Sequence, residues 1–248
     1  MVNYNKYQKA CNHICKDEAL FLSFKRNPAY RYVLEHVSVE QGYEYINQIN
    51  KKVPGLFRTN KHKFATNDAI GKPRIWNYTA AGFRGSPTTL RYIKVLSDLI
   101  ELFGSLDGLD IIEIGCGYGG QCKIIYDIFK PKSYTLVDLP EVLQLSNKYL
   151  DKFDIYPILR SSKGVSEKQY DLCISNYAFS EFDRKSQDFY VENIIKRSTK
   201  GYMTLNFLGL REEDNALTED EIKALKVNYT TYPEIPITGE SNLIYTWK

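Results

Sequence analysis

No apolar run in the 248 residues approaches the ~20 needed to cross a bilayer, so no membrane span is expected. Nor does any run of Lys or Arg stand out. The net charge of +3 is too small to argue for nucleic acid or an anionic membrane surface as a partner. The five cysteines (Cys11, Cys15, Cys116, Cys122 and Cys173) are odd in number and lack framework spacing. With no signal peptide read at the start, they are expected as reduced thiols in a cytoplasmic protein. Cys11, His13 and Cys15 invite a zinc reading, but on a helix His13 points away from both thiols and no second ligand pair follows. Internal repeats and low-complexity segments are missing too.

What remains is ordinary globular composition, with 43% hydrophobic and 25% charged residues, enough to bury one α/β core with an appendage. The 20 tyrosines read first as core and surface filler, with ring stacking as the alternative. The first ~55 residues carry a helical pattern. Pro28 divides it, and Ser38 to Gln41 form a capping box that opens a helix to about Lys52. Residues 55–85, punctuated by Gly71, Pro73, Gly82 and Gly85, read as loop. Ser86 and Pro87 supply an N-cap and a first-turn proline for a helix that Gly104 stops, with Leu90, Ile93, Ile100 and Phe103 along one face.

From there strands and helices alternate. Strands are expected at 110–114, 133–138, 155–159, 171–176 and 201–207, and helices at 119–129, 140–151, 184–197 and 218–226. Two last strands, 228–231 and 243–247, are joined too closely for a crossover helix and must form a hairpin. The expected fold is α/β: a doubly wound, mostly parallel, Rossmann-like seven-stranded sheet with a C-terminal antiparallel strand and an N-terminal helical extension. The expected division is 1–85 for the helical and loop region and 86–248 for the sheet domain.

Gly115, Gly117 and Gly120 satisfy the G-x-G-x-x-G spacing at the end of the first expected strand of that sheet. Such glycines permit a tight turn and close approach to a ligand, and a nicotinamide or flavin dinucleotide has to be weighed. Glu113 stands against it. A carboxylate beside a helix N-terminus repels a pyrophosphate but suits the ammonium and sulfonium of S-adenosylmethionine (SAM). Asp138, ending the next strand, suits ribose hydroxyls in either ligand, and Asn176 ends the fourth strand.

At these residues the sequence resembles the class I SAM-dependent methyltransferases, and more narrowly the sugar O-methyltransferases of bacterial surface-polysaccharide gene clusters. The blocks that carry the likeness are Ser86–Tyr92, Glu113–Gln121, Asp138–Val142, Ser175–Glu181, Gly201–Asn206 and Pro236–Asn242. The resemblance implies SAM as methyl donor, with Glu113, Gly115, Cys116, Gly117 and Tyr118 around its methionine part. Asp138 and Leu139 would bracket ribose and adenine, Ser175 and Asn176 would flank the methyl, and Thr88 or Arg91 would hold the SAM carboxylate. After the third strand, residues 160–164 lack the acidic residue often seen near adenine.

The expected reaction is methyl transfer to a sugar hydroxyl, on a nucleotide-linked sugar or a glycan of polysaccharide or capsule biosynthesis. Glu181 is the first choice for the base that takes the hydroxyl proton, and Asp68 the second. His36 and His62 are weaker candidates. Tyr92 and Tyr177 are candidate sugar contacts. Asp138, Asp171 and Glu181 sit on different strand ends without ligand spacing, so no metal is expected. The N-terminal helices are read as a lid, a homo-oligomer interface, or both. Competing readings are another small acceptor (a phosphoryl decoration or a natural product), an NAD-dependent oxidoreductase, and a non-catalytic binding module.

Overall fold

The computed structural model describes residues 4–161, 164–165, 168–207, 216–226, 228–239 and 242–248. Ser162 and Lys163 of the segment after the third expected strand, and Glu240 and Ser241 of the last resemblance block, lie outside the described residues. The chain divides into two compact units. One holds Met1–Asp107, Gly117–Lys130 and Leu139–Tyr156; the other holds Gly108–Cys116, Pro131–Asp138 and Pro157–Lys248.

The first unit is mainly helical. Its N-terminal part is α1 (Tyr4–Lys16), α2 (Glu18–Phe21), α3 (Pro28–Leu34) and α4 (Val39–Lys52). Asn27 caps α3 through its side chain, with Pro28 in the first turn. Both reciprocal bonds of the Ser38–Gln41 capping box are present at α4. The expectation of loop across 55–85 needs correction, because α5 (Leu56–Ala65) fills its first third. Gly55 starts it at φ +89° without a side-chain cap, so the usual Ser/Thr/Asp signal is absent. Burial of Leu56, Phe57 and Phe64 holds the helix instead. A short antiparallel pair follows, β1 (Trp76–Tyr78) and β2 (Phe83–Gly85).

Helix α6 (Pro87–Phe103) begins and ends where Ser86 and Gly104 place it. Its expected single apolar stripe is corrected: every residue from Pro87 to Leu99 is buried, Arg91, Lys94 and Asp98 among them. The charges survive burial by pairing. Lys94 Nζ donates to Asp98 Oδ2 at 2.6 Å, and Lys52 Nζ to Asp98 Oδ1 at 2.8 Å. Helices α7 (Gly120–Tyr126) and α8 (Pro140–Asp151) complete the unit, α8 packing against α1.

The second unit is the sheet: β3 (Asp110–Ile114), β4 (Ser133–Val137), β5 (Ile158–Arg160), β6 (Tyr170–Asn176), β7 (Ser198–Leu205), β8 (Tyr229–Pro233) and β9 (Leu243–Trp247). Their order is β5-β4-β3-β6-β7-β9-β8. The first five are parallel and β9 runs antiparallel to both its neighbours, as the short C-terminal connection requires. Helix α9 (Arg184–Tyr190), capped by Asp183, runs into a π-turn at Val191–Ile195. Their apolar residues Tyr190, Val191, Ile194 and Ile195 form one core with Ile112, Ile114, Cys173, Met203 and Tyr245 of the sheet. The last helix, α10 (Glu219–Lys223), is opened by the Thr218–Glu221 capping box.

Candidate active site

The strand order reverses at β3, which sends the chain to β4 on one side and leaves β6 on the other. Ligands of open α/β sheets bind outside the carboxyl ends of the strands at such a point. Register brings those ends level here: Ile114 lies opposite Val137 and Ser175, and Asn176 opposite Thr204. Gly115, Asp138 and Asn176 therefore share one rim of the sheet unit.

Gly115 turns the chain at φ +76°, and its N–H donates to Val137 O at 2.8 Å. A Cβ added there would lie 2.1 Å from the Ala178 Cβ. Gly117 and Gly119 also have positive φ. In the helical unit a Cβ at Gly117 would meet Leu34 at 2.9 Å, and one at Gly119 would meet Leu150 at 2.8 Å. At these three positions an added Cβ would meet the protein's own side chains. Glycine is required by the turn and by packing.

Glu113 points to the sheet face opposite Ile112 and Ile114 and is 2% exposed. Its Oε2 accepts from the Tyr134 hydroxyl at 2.8 Å, and no Lys or Arg pairs with it among the described residues. Burial raises its carboxyl to about 8; the Tyr134 hydrogen bond opposes the shift and the Asp138 charge adds to it. Burial thus works against the standing negative charge expected from sequence and favours the protonated carboxyl of Glu113. Asp138 is half-buried one residue beyond β4, Leu139 is 37% exposed, and Cys116 is buried.

The end of β6 is knitted to the end of β7. Ser175 Oγ accepts from Phe179 N at 3.3 Å. Thr204 Oγ1 donates to Asn176 Oδ1 at 3.4 Å, and Asn176 Nδ2 is buried without a partner among the described residues. Tyr177 is left-handed at φ +68°, and its hydroxyl donates to Glu234. Glu181 is exposed and accepts from Asn206 Nδ2 at 2.8 Å. Eight of the expected site residues therefore fall in the sheet unit: Glu113, Gly115, Cys116, Asp138, Ser175, Asn176, Tyr177 and Glu181.

The others lie in the helical unit. Asp68 accepts from Ser86 N (2.6 Å), Ser86 Oγ (2.8 Å) and Thr89 Oγ1 (2.8 Å), bracing the start of α6, and it pairs with Lys25. Tyr118 is fully buried; its hydroxyl accepts from Asn67 Nδ2 at 2.9 Å and its ring packs edge-on to Tyr92 and Tyr149. Thr88 and Arg91 are buried, Arg91 Nη2 reaching Leu34 O at 3.4 Å. Sequence reasoning missed Arg31, Glu35 and Trp76, which line a cavity in this unit. Arg31 and Glu35 stand four residues apart around the end of α3, and Trp76 is one of two tryptophans and 46% exposed. Helical spacing after the Asn27–Pro28 start was a usable signal.

No known family model matches the sequence. A curated relative, malonyl-(acyl-carrier protein) O-methyltransferase of Acetivibrio thermocellus, is 26% identical over 124 residues, covering 46% of this chain and 44% of that enzyme. Among solved structures, the PH0226 protein of Pyrococcus horikoshii OT3 superposes with a TM-score of 0.50 at 14% identity, covering 64% of this chain and 89% of that one. The methyltransferase domain of a bacterial CtHen1-C gives 0.45 at 16% identity, covering 64% and 96%. The sheet order and the likeness to the PH0226 protein together give the chain a Rossmann-like α/β fold.

Proposed function

We propose that the chain is a SAM-dependent O-methyltransferase acting on a sugar hydroxyl, carried by a nucleotide-linked sugar or a surface glycan. The observation that carries this reading is the pair of carboxylates at the ends of adjacent strands, Glu113 and Asp138, the first of them buried and without a cationic partner among the described residues. A buried carboxyl of this kind suits a ligand that brings its own positive charge. The A. thermocellus relative, an O-methyltransferase by name, supports the same chemistry.

When bound, SAM supplies an electrophilic methyl on sulfur. Glu113 gives up its proton and compensates the ammonium. Asp138 accepts from ribose hydroxyls beside the exposed Leu139. The unpartnered Nδ2 of Asn176 offers a hydrogen bond at the rim. Glu181, fixed by Asn206, takes the acceptor's proton, whereas the oxygens of Asp68 are already used in bracing α6. Positioning of the acceptor oxygen contributes much of the acceleration.

Calorimetry with S-adenosylhomocysteine and with NADH tests the donor: the first binds and the second does not. Glu181→Gln is expected to lower kcat for methyl transfer from labelled SAM to sugar-nucleotide and glycan fractions by ~10²–10⁴-fold while leaving S-adenosylhomocysteine affinity in place. Tight NADH binding, or unchanged kcat in the variant, overturns the respective assignment.

A further inference from the structure

The helical unit contains a cavity of about 290 Å³ lined entirely by its own residues, including Arg31, Glu35, His36, Arg74, Trp76 and Thr88. This is the small end of ligand-binding cavities (~300–1,000 Å³) and suits a single ring. Two of its lining residues each carry a buried polar atom without a partner among the described residues: the Nε–H of Arg31, a donor, and Oε1 of Glu35, an acceptor. Leaving such groups unsatisfied is costly, about 1–3 kcal/mol each, so a ligand that satisfies both is favoured.

The chemistry of that ligand is constrained. A simple anion satisfies Arg31 but meets the carboxyls of Glu35 and Glu40, and the other deep cation, Lys25, is already engaged by Asn67 O and Asp68. An apolar ligand satisfies neither orphan. A hydroxyl does both, accepting from Arg31 while donating to Glu35. Vicinal hydroxyls on a ring extend this to Thr88, which also lines the cavity. Trp76 adds an exposed aromatic face, and its cross-strand partner Gly85 has no side chain to cover it. Flat rings of this kind pack against the C–H face of a pyranose. Burial also raises the Glu35 carboxyl to about 7, so it exchanges its proton near neutrality and adapts to the hydroxyl it meets.

We infer that this cavity is a carbohydrate subsite that binds one neutral pyranose ring, with Arg31 and Glu35 clasping a hydroxyl and Trp76 stacking on the ring. The choice of a sugar as ligand rests on the sugar reading above; as a binding site the cavity stands alone. Saturation-transfer NMR with the methyl α-glycosides of glucose, galactose and mannose tests it. At least one glycoside is expected to receive saturation, with Trp76→Ala and Glu35→Gln each weakening its Kd by about tenfold. Affinity for S-adenosylhomocysteine is expected to stay within about twofold in both variants. Trp76 is exposed, so that variant keeps its thermal transition and remains informative if Glu35→Gln does not fold.

The inference is overturned if none of the three glycosides receives saturation, or if both variants bind them like the parent. It is also overturned if the variants lose S-adenosylhomocysteine affinity instead, which assigns the cavity to the donor's amino-acid end. Glycoside binding in a protein that ignores S-adenosylhomocysteine leaves the subsite standing and removes the methyltransferase reading.

Discussion

The two units place polar groups by different means. In the sheet unit the rim is set by main-chain pairing: register brings Gly115, Asp138, Ser175 and Asn176 level whatever their side chains do. In the helical unit placement depends on side chains that bond across long stretches of sequence. Asn67, fully buried, donates to Thr89 and Tyr118, and Tyr149 donates to both its backbone and side-chain oxygens at 2.9 Å. Lys25 donates to Asn67 O at 2.8 Å and lies 4.3 Å from the centre of the Tyr118 ring. A rim built on pairing tolerates exchange of its functional groups; a network of this kind does not.

Lys25→Met tests that contrast most severely. It leaves the Asp68 carboxylate buried without its cation, and is expected to cost roughly 3–5 kcal/mol by denaturant titration. A loss under about 1 kcal/mol would show the network to be dispensable. Glu113→Gln, at the heart of the other unit, is expected to act with the opposite sign. The folded-state carboxyl is raised to about 8, faced by the Tyr134 hydroxyl and the Asp138 charge. The parent's ligand-free stability is therefore full below the unfolded value and falls as pH rises from ~4.5 towards 8. Glu113→Gln should flatten this fall and gain on the order of 2–4 kcal/mol at pH 8 relative to pH 5. Glu35, raised to about 7, keeps part of the slope. Unfolding curves at both pH values check this, and an unchanged slope refutes the burial argument. The smallest effect is at the surface: Ser38→Ala removes the α4 capping box at a cost of about 1 kcal/mol, read from the same curves.

The same contrast explains what could be read from the sequence. Every strand of the main sheet was foreseen to within a few residues, because alternation, proline and glycine are local signals. The caps at Ser38 and Ser86 were equally plain. Helix α5 was not, since Gly55 in place of a capping side chain and a polar outer face resemble loop. The Asn67 network was invisible for another reason. Its partners lie 22 to 82 residues away, and nothing in a local window announces such a meeting. The charge state of Glu113 was misjudged because a side chain's burial depends on the whole sheet.

Glu234 ties the C-terminal hairpin to the rim. Its 4% exposed carboxylate accepts from Tyr177 on β6's side, and from Thr238 and Asn242 within its own connection. The tail thus works as a buckle. Trimming the last two strands undoes the clasp on Tyr177, so a shortened chain slackens where acceptor chemistry is proposed while β3, β4 and β6 stay stitched together.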